Sequence, residues 1–438
     1  MLNIKVVVPL LALLLPAGLL AQPAEPTAEV AAEVVPAGQQ APAEEAHLQL
    51  EALVQEALEN NPGVQSALRR VEAWRRRVPQ ARSFPDPVLG VGWMGEIRPF
   101  SLMRNDPSSF RSITAKQKIP FPGKLKLRGQ IAGREAEAAW WDYETIRRRV
   151  AAQVKVTYYD YFYYHQAIEI TRKNKDLLGK LAQIAEVRYQ VGKGIQQDVL
   201  RAQVELSRIL QRLTVLEQQE KTAQVRLNTL LYRQPDAPLP PPAALEQSHL
   251  TYSLESLYQL ARENDTGLQR EQQMIERNQL AVNLARKEFY PDLSIAYMYQ
   301  NRPLMQEMHG VTFSINIPVF YKSKQREGVN EATLELLSAR RSRDNRETLL
   351  SFEVKQHYLA AKAADELARL YSQAIVPQSS LALDSALAAY AVGSVDFLTV
   401  LDSFITVLDY EINYYRELSN YQIALARLEP LVSVPLTN

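Results

Sequence analysis

Histidine is the side chain best placed to move protons or hold a metal near neutral pH. This chain has five, His47, His165, His249, His309 and His357, scattered without metal-ligand spacing. There is no HExxH helix, no nucleophile elbow and no phosphate-cradling glycine loop. The absence of cysteine removes disulfides, thiolate metal sites and cysteine nucleophiles together. Met305, Met308 and His309 carry the thioether and imidazole groups that suit soft Cu(I). They fall where two strand-like segments must be joined, so the plainer reading is an ordinary loop. The aromatic run Tyr158 to Tyr164 reads as packing between helices. No catalytic, cofactor-binding or metal constellation emerges, and the expectation is a protein that is not an enzyme and carries no cofactor.

With a formal charge of +1, the chain has no net field to attract a polyanion, and no nucleic-acid partner is expected. The basic clusters, such as Arg75 to Arg77, sit in helical sequence and read as solvated helix faces.

What positions the side chains is a repeat. LEALVQEALENNP (Leu50 to Pro62) returns as LESLYQLAREND (Leu254 to Asp265), about 204 residues later. Each copy continues with a Pro-Asp step (Pro85-Asp86, Pro291-Asp292), an alternating apolar stretch and an Ile-Pro stop (Ile119-Pro120, Ile317-Pro318). A long helical run follows, broken by YQVGKGIQQDVL in the first copy and YAVGSVDFLTVL in the second. Two copies are too few for a solenoid and suit a pseudo-symmetric wall.

Apolar residues at three- and four-residue spacings predict long helices at about 124–189 and 198–232, and again at about 322–391 and 396–430. A helix from Lys124 to Tyr189 would be roughly 100 Å long. The opening helix, read as one piece from Leu50 to Ala81, and the return helix would together match it end to end. Asp198 suits the start of that return helix, and Pro377 should kink the long helix of the second copy. Strands are predicted at about 88–94, 113–119, 293–299 and 311–317. In the second pair Ile295, Tyr297, Tyr299, Val311, Phe313 and Ile315 point one way, and small or polar residues the other. That pattern fits a transmembrane barrel wall with those six residues on lipid, or a pair of hairpins on a soluble core. Four strands cannot close a barrel whose smallest members have about eight, so several chains would have to share one; three would give twelve.

Residues 1–21 read as a signal peptide, with Lys5, an apolar stretch and Leu19-Leu20-Ala21 before cleavage. Gln22 stands where a lipoprotein carries its acylated cysteine. Residues 22–46 read as a disordered Ala/Pro/Glu linker. Repeat 1 then covers 47–233, a Pro-rich linker 234–249 and repeat 2 250–438. No run of about 18 apolar residues follows the signal, so no transmembrane helix is expected.

The duplicated plan, with KQKIPFPGKLKLRGQIA (Lys116 to Ala132), RYQVGKGIQQDVLRAQ (Arg188 to Gln203) and AYAVGSVDFLTVLD (Ala389 to Asp402), resembles the TolC family of outer-membrane efflux proteins from Leu48 to Val432. IPFPGK and IVPQSSLAL (Ile375 to Leu383) look most like its heavy-metal exporter branch. The resemblance implies a homotrimer with a twelve-stranded β-barrel in the outer membrane, embedded in its lipid, and a long α-helical coiled-coil barrel reaching through the periplasm. It also implies partners, namely a periplasmic adaptor protein and an inner-membrane pump. Asp402 falls on the family's inner acidic gate position and Tyr390 on its gating tyrosine. Thr399 and Val395 depart from the other acidic position and the partner arginine, and Asp396 stands one turn away from Thr399. The helix-tip turns Val191, Gly192 and Gly194, with Val392 and Gly393, are expected to dock the adaptor. The functional expectation is a passive exit duct of a tripartite efflux system. The alternatives are a duct for type I protein secretion and, from another class, a soluble periplasmic coiled-coil scaffold.

Overall fold

The structure is a computed structural model describing residues 48–95, 102, 106, 108–245, 250–303 and 305–436. The signal-peptide and Ala/Pro/Glu-linker readings lie outside the described residues, as does the end of the Pro-rich linker.

Each copy opens with two helices where one was expected: α1 (Leu50–Asn60) and α2 (Pro62–Arg82), then α5 (Leu254–Asn264) and α6 (Thr266–Lys287). The break lies at Asn61 and Asp265, both extended, whose side chains accept from the next helix's first-turn N–H groups. Pro62 sits at the first position of α2, where its missing N–H costs nothing.

Helix α3 (Lys124–Gln190) runs 67 residues unbroken, about 100 Å. Its first half buries small residues, Gly129, Ala132, Ala136 and Ala139, letting α2 and α6 approach closely. Its second half packs on α4 (Gln196–Leu230) and on α9 (Phe397–Val432). Between the halves Tyr158, Tyr159, Tyr161 and Phe162 are buried against α1, α4 and α9. Short helices thus stack end to end beside the long one.

The long helix of the second copy is α7 (Gln325–Leu370), a π-helical turn (Tyr371–Ile375) and α8 (Val376–Ala391). Pro377 therefore does not simply bend an α-helix. The wider turn takes up a ring that would otherwise clash with the carbonyl one turn back. This helix begins at Gln325 rather than near 322, because residues 319–324 form turns. Helix α4 begins at Gln196, which puts Asp198 in its first turn and not at its cap.

Strands β1 (Val88–Met94), β2 (Phe110–Ile119), β3 (Leu293–Asn301) and β4 (Met308–Ile315) form one antiparallel sheet in chain order. Met308 and His309 lie in β4, not in a loop. Beyond Ile315 the ladder gives way, since the Asn316 N–H turns to the Asp292 carbonyl. The two copies meet at β2–β3, and the outer edges of β1 and β4 have no strand beside them among the described residues.

Candidate functional site

The sheet has two chemically distinct faces. Register places Leu293, Ile295, Tyr297 and Tyr299 opposite Ile315, Phe313, Val311 and His309, and on the other side opposite Ile119, Gln117, Ala115 and Ile113. Through β1 the same face gains Leu89, Val91 and Trp93. All six residues predicted to face lipid lie on this surface, and Tyr297, Val311, Phe313 and Ile315 are exposed in the single chain. The tyrosine hydroxyls are not left alone: Tyr297 Oη lies 2.6 Å from His309 Nδ1, and Tyr299 donates to Glu307 at 2.7 Å. The opposite face carries the small or polar Gly90, Gly92, Ser112, Thr114, Ser294, Ala296, Thr312 and Ser314, together with Val88, Lys116, Lys118, Met298 and Gln300.

Where the sheet meets the helices, Lys124 is buried at the start of α3 and uses all three of its protons. Its Nζ donates to Asp292 Oδ1 (2.8 Å), Glu288 Oε2 (3.0 Å) and the Tyr290 carbonyl (3.0 Å). Asp292 also accepts from the Phe121 N–H at 2.9 Å and pairs with Lys118 at 3.3 Å. Burial pushes the Asp292 carboxyl up, but these donors outweigh it and hold it below the usual carboxylate range. Phe121 stacks on Tyr290 with centroids 4.6 Å apart. The segment is legible in the sequence as a family motif, but the partners of Lys124 are not.

At the far end, the two tips are the same structure. The Gly192 N–H donates to the Tyr189 carbonyl and Lys193 to Arg188; the Gly393 N–H donates to Tyr390 and Ser394 to Ala389. This is the paired closing bond of a helix that ends in a left-handed residue, and φ is +74° at Gly192 and +80° at Gly393. The flanking Val191 and Val392 are 62% and 78% exposed. Gly194 packs tightly on the Arg188–Tyr189 backbone.

The predicted gate residues divide into two groups. Asp396 is the N-cap of α9: it accepts from the Thr399 N–H at 2.9 Å and the Thr399 hydroxyl at 2.5 Å. Those bonds hold its carboxyl below the usual range. Asp402 lies exposed further along the same face of α9, so Asp396, Thr399 and Asp402 form one polar stripe. Tyr390 turns inward, buried against Phe397 with centroids 5.8 Å apart. Sequence reasoning missed Arg188, whose guanidinium lies 4.2 Å from the Tyr390 ring centroid and joins the two tips. Asp198, read from sequence only as the start of a helix, also belongs here: its carboxyl is pushed up by burial and by the charge of Asp396.

A sheet apolar on one face, open at both edges and continuous with a helical wall about 100 Å tall defines one stave of a membrane-embedded tube. The chain belongs to the outer membrane efflux protein family, whose model matches residues 53–231 and 257–433. It is 24% identical over 392 residues to the cobalt-zinc-cadmium resistance protein CzcC of Cupriavidus metallidurans, covering 86% of this chain and 88% of that one. Its fold is similar to that of the outer membrane protein VceC of Vibrio cholerae (TM-score 0.74, 17% identity, 88% and 96% of the two chains). It is equally similar to that of CusC (TM-score 0.75, 15% identity, 88% and 92%). The chain is thus an efflux duct of the outer membrane that extends into the periplasm, and a transport protein rather than an enzyme.

Proposed function

We propose that three copies close a twelve-stranded barrel whose apolar face meets lipid, and that the assembly passively conducts metal cations delivered by an inner-membrane pump through a periplasmic adaptor. The observation that carries this reading is the four-stranded sheet with both edges open, since a β-structure in lipid must leave no backbone group unpaired. The exposed Val191 and Val392 at the two equivalent tips offer the adaptor an apolar foothold. The Asp396–Asp402 stripe, repeated three times around a narrow entrance, would attract cations, and Tyr390 held by Arg188 would fix the tips in their closed packing. The name of the relative CzcC supports divalent metals as cargo. Nucleic acid has no place in this reading.

The test pairs a native mass with a growth assay. Detergent-extracted protein should be a trimer, and a strain lacking it should become sensitive to cobalt, zinc or cadmium and be rescued by the cloned chain. A monomer recovered without detergent would overturn the barrel, and unchanged metal tolerance would overturn the cargo.

A further inference from the structure

The small-residue face of the sheet carries charge in two adjacent rows and nowhere else among the described residues. Lys116 stands in a row with Val88, Ala296 and Thr312, and Lys118 in the next row down with Ser294 and Ser314. No carboxylate lies on this face of the four strands. The two lysines differ in their surroundings. Lys118 pairs with Asp292 at 3.3 Å, and Asp292 and Glu288 both bind Lys124 at the foot of the sheet. Arg128 lies 3.7 Å from Glu288, and Asp86 is exposed two residues before β1. Lys116 makes no hydrogen bond or ion pair among the described residues, and its direct neighbours across the ladder, Val88 and Ala296, offer no polar side-chain atom.

An ammonium without a partner needs water. Against hydrocarbon it is costly, so its place on this face agrees with a wet lumen there and lipid on the other side. A lysine stem lies along short neighbours and carries its head out beyond them, so the charge projects in front of the wall. At the opposite end of the molecule the exposed stripe of Asp396, Thr399 and Asp402 is acidic. One wall therefore holds fixed charges of opposite sign at its two ends, separated by the length of α3.

We propose that Lys116 forms an anion-attracting ring inside the barrel, opposite in sign to the acidic stripe at the tips, and so sets which external ions enter the duct. The inference rests on the reading that three copies close the barrel with this face inward. Three Lys116 ammoniums then stand at one height. Small external anions such as chloride or phosphate gather among them, while external cations are held off. A fixed field of this kind drives no net flow. It lowers the cation occupancy of the lumen from outside, whereas outgoing cations arrive at the excess concentration that a pump maintains behind them.

The chain has no cysteine, so a single introduced thiol reports without background. Ala296→Cys places it directly across from Lys116, with Cβ atoms about 4.5–5.5 Å apart. The protein is held in lipid nanodiscs, and the thiol is reacted with two methanethiosulfonates of similar size, one bearing a sulfonate and the other a trimethylammonium. The ratio of the two rates cancels any effect of Lys116 on the thiol's own ionisation. That anionic-to-cationic ratio should fall about threefold on Lys116→Met at about 0.1 M salt, and further at lower salt where screening is weaker. Lys116→Arg, which keeps the charge, should keep the ratio. A ratio that Lys116→Met leaves unchanged in a native trimer overturns the ring while leaving the barrel standing. Ile295→Cys, on the apolar face, should resist both reagents. If it reacts and the thiol at position 296 does not, the facing of the sheet is overturned, and a monomeric native mass overturns the trimeric reading itself.

Discussion

Asp396 and Asp402 carry the same charge, but the structure gives them different work. Asp396 is fixed by two bonds from Thr399, and an asparagine there would still cap α9. Asp396→Asn therefore removes charge with little loss of fold, as does Asp402→Asn on the exposed stripe. In planar-bilayer recordings each variant should lower cation preference, and the double variant should lower it most. The difference should grow as salt falls, because the screening length rises from about 3 Å at 1 M to about 30 Å at 0.01 M. Unchanged selectivity in the double variant would place the constriction elsewhere. Thr399, read as a lost acidic position, is instead the residue that orients Asp396. The acid missing from it appears in the first copy at Asp198.

Among the elements, the tips and strands make opposite demands on substitution. At Gly192 and Gly393 an added Cβ meets nothing within 4 Å, so the cost is purely conformational, about 1 kcal/mol for a left-handed L-residue. Alanine at either site should leave export measurable. Leucine adds bulk beside Val191 or Val392 and should abolish export while trimer yield stays normal. Normal metal tolerance in both leucine variants would remove the tips from adaptor docking. In β4, Phe313→Asp and Ile315→Asp should each reduce trimer assembly in the outer membrane, because a charged side chain facing lipid costs up to about 2–4 kcal/mol, less for acids than for bases. Ser314→Asp, on the small-residue face, should assemble normally. Equal yields of all three would show that this face does not meet lipid.

For the molecule as a whole, the Lys124 cluster is where the copies are locked together, since α3 belongs to the first and Glu288, Tyr290 and Asp292 to the second. Removing one partner of a buried ion pair strands the other. Lys124→Met should destabilise the folded chain by about 3 kcal/mol, read as a lower denaturant midpoint in detergent, with Lys118 keeping part of the compensation. The acid response follows from Asp292. Its folded carboxyl titrates below its unfolded value, so its contribution is complete above the unfolded pKa of about 3.9 and is lost as pH falls through the folded one. Lys124→Met should flatten that acid limb. An unchanged midpoint and limb would mean that the cluster does not hold the copies together.

Periodicity and punctuation determined most of the architecture. The three- and four-residue apolar spacing specified the long helices, period-two alternation specified the sheet face, and glycines marked the tips, because all of these are local signals. The duplication and the count of strands were enough to require partners for the sheet. Other features rest on contacts distant in sequence. The division of the opening helix at Asn61 was written in its Asn-Pro step, yet it became visible only as a cap on α2. The π turn before Pro377, the burial of Lys124 on residues about 165 positions away and the reach of Arg188 to Tyr390 were decided by tertiary packing. A side chain's partner across two copies depends on register and helix rotation, which no local pattern encodes.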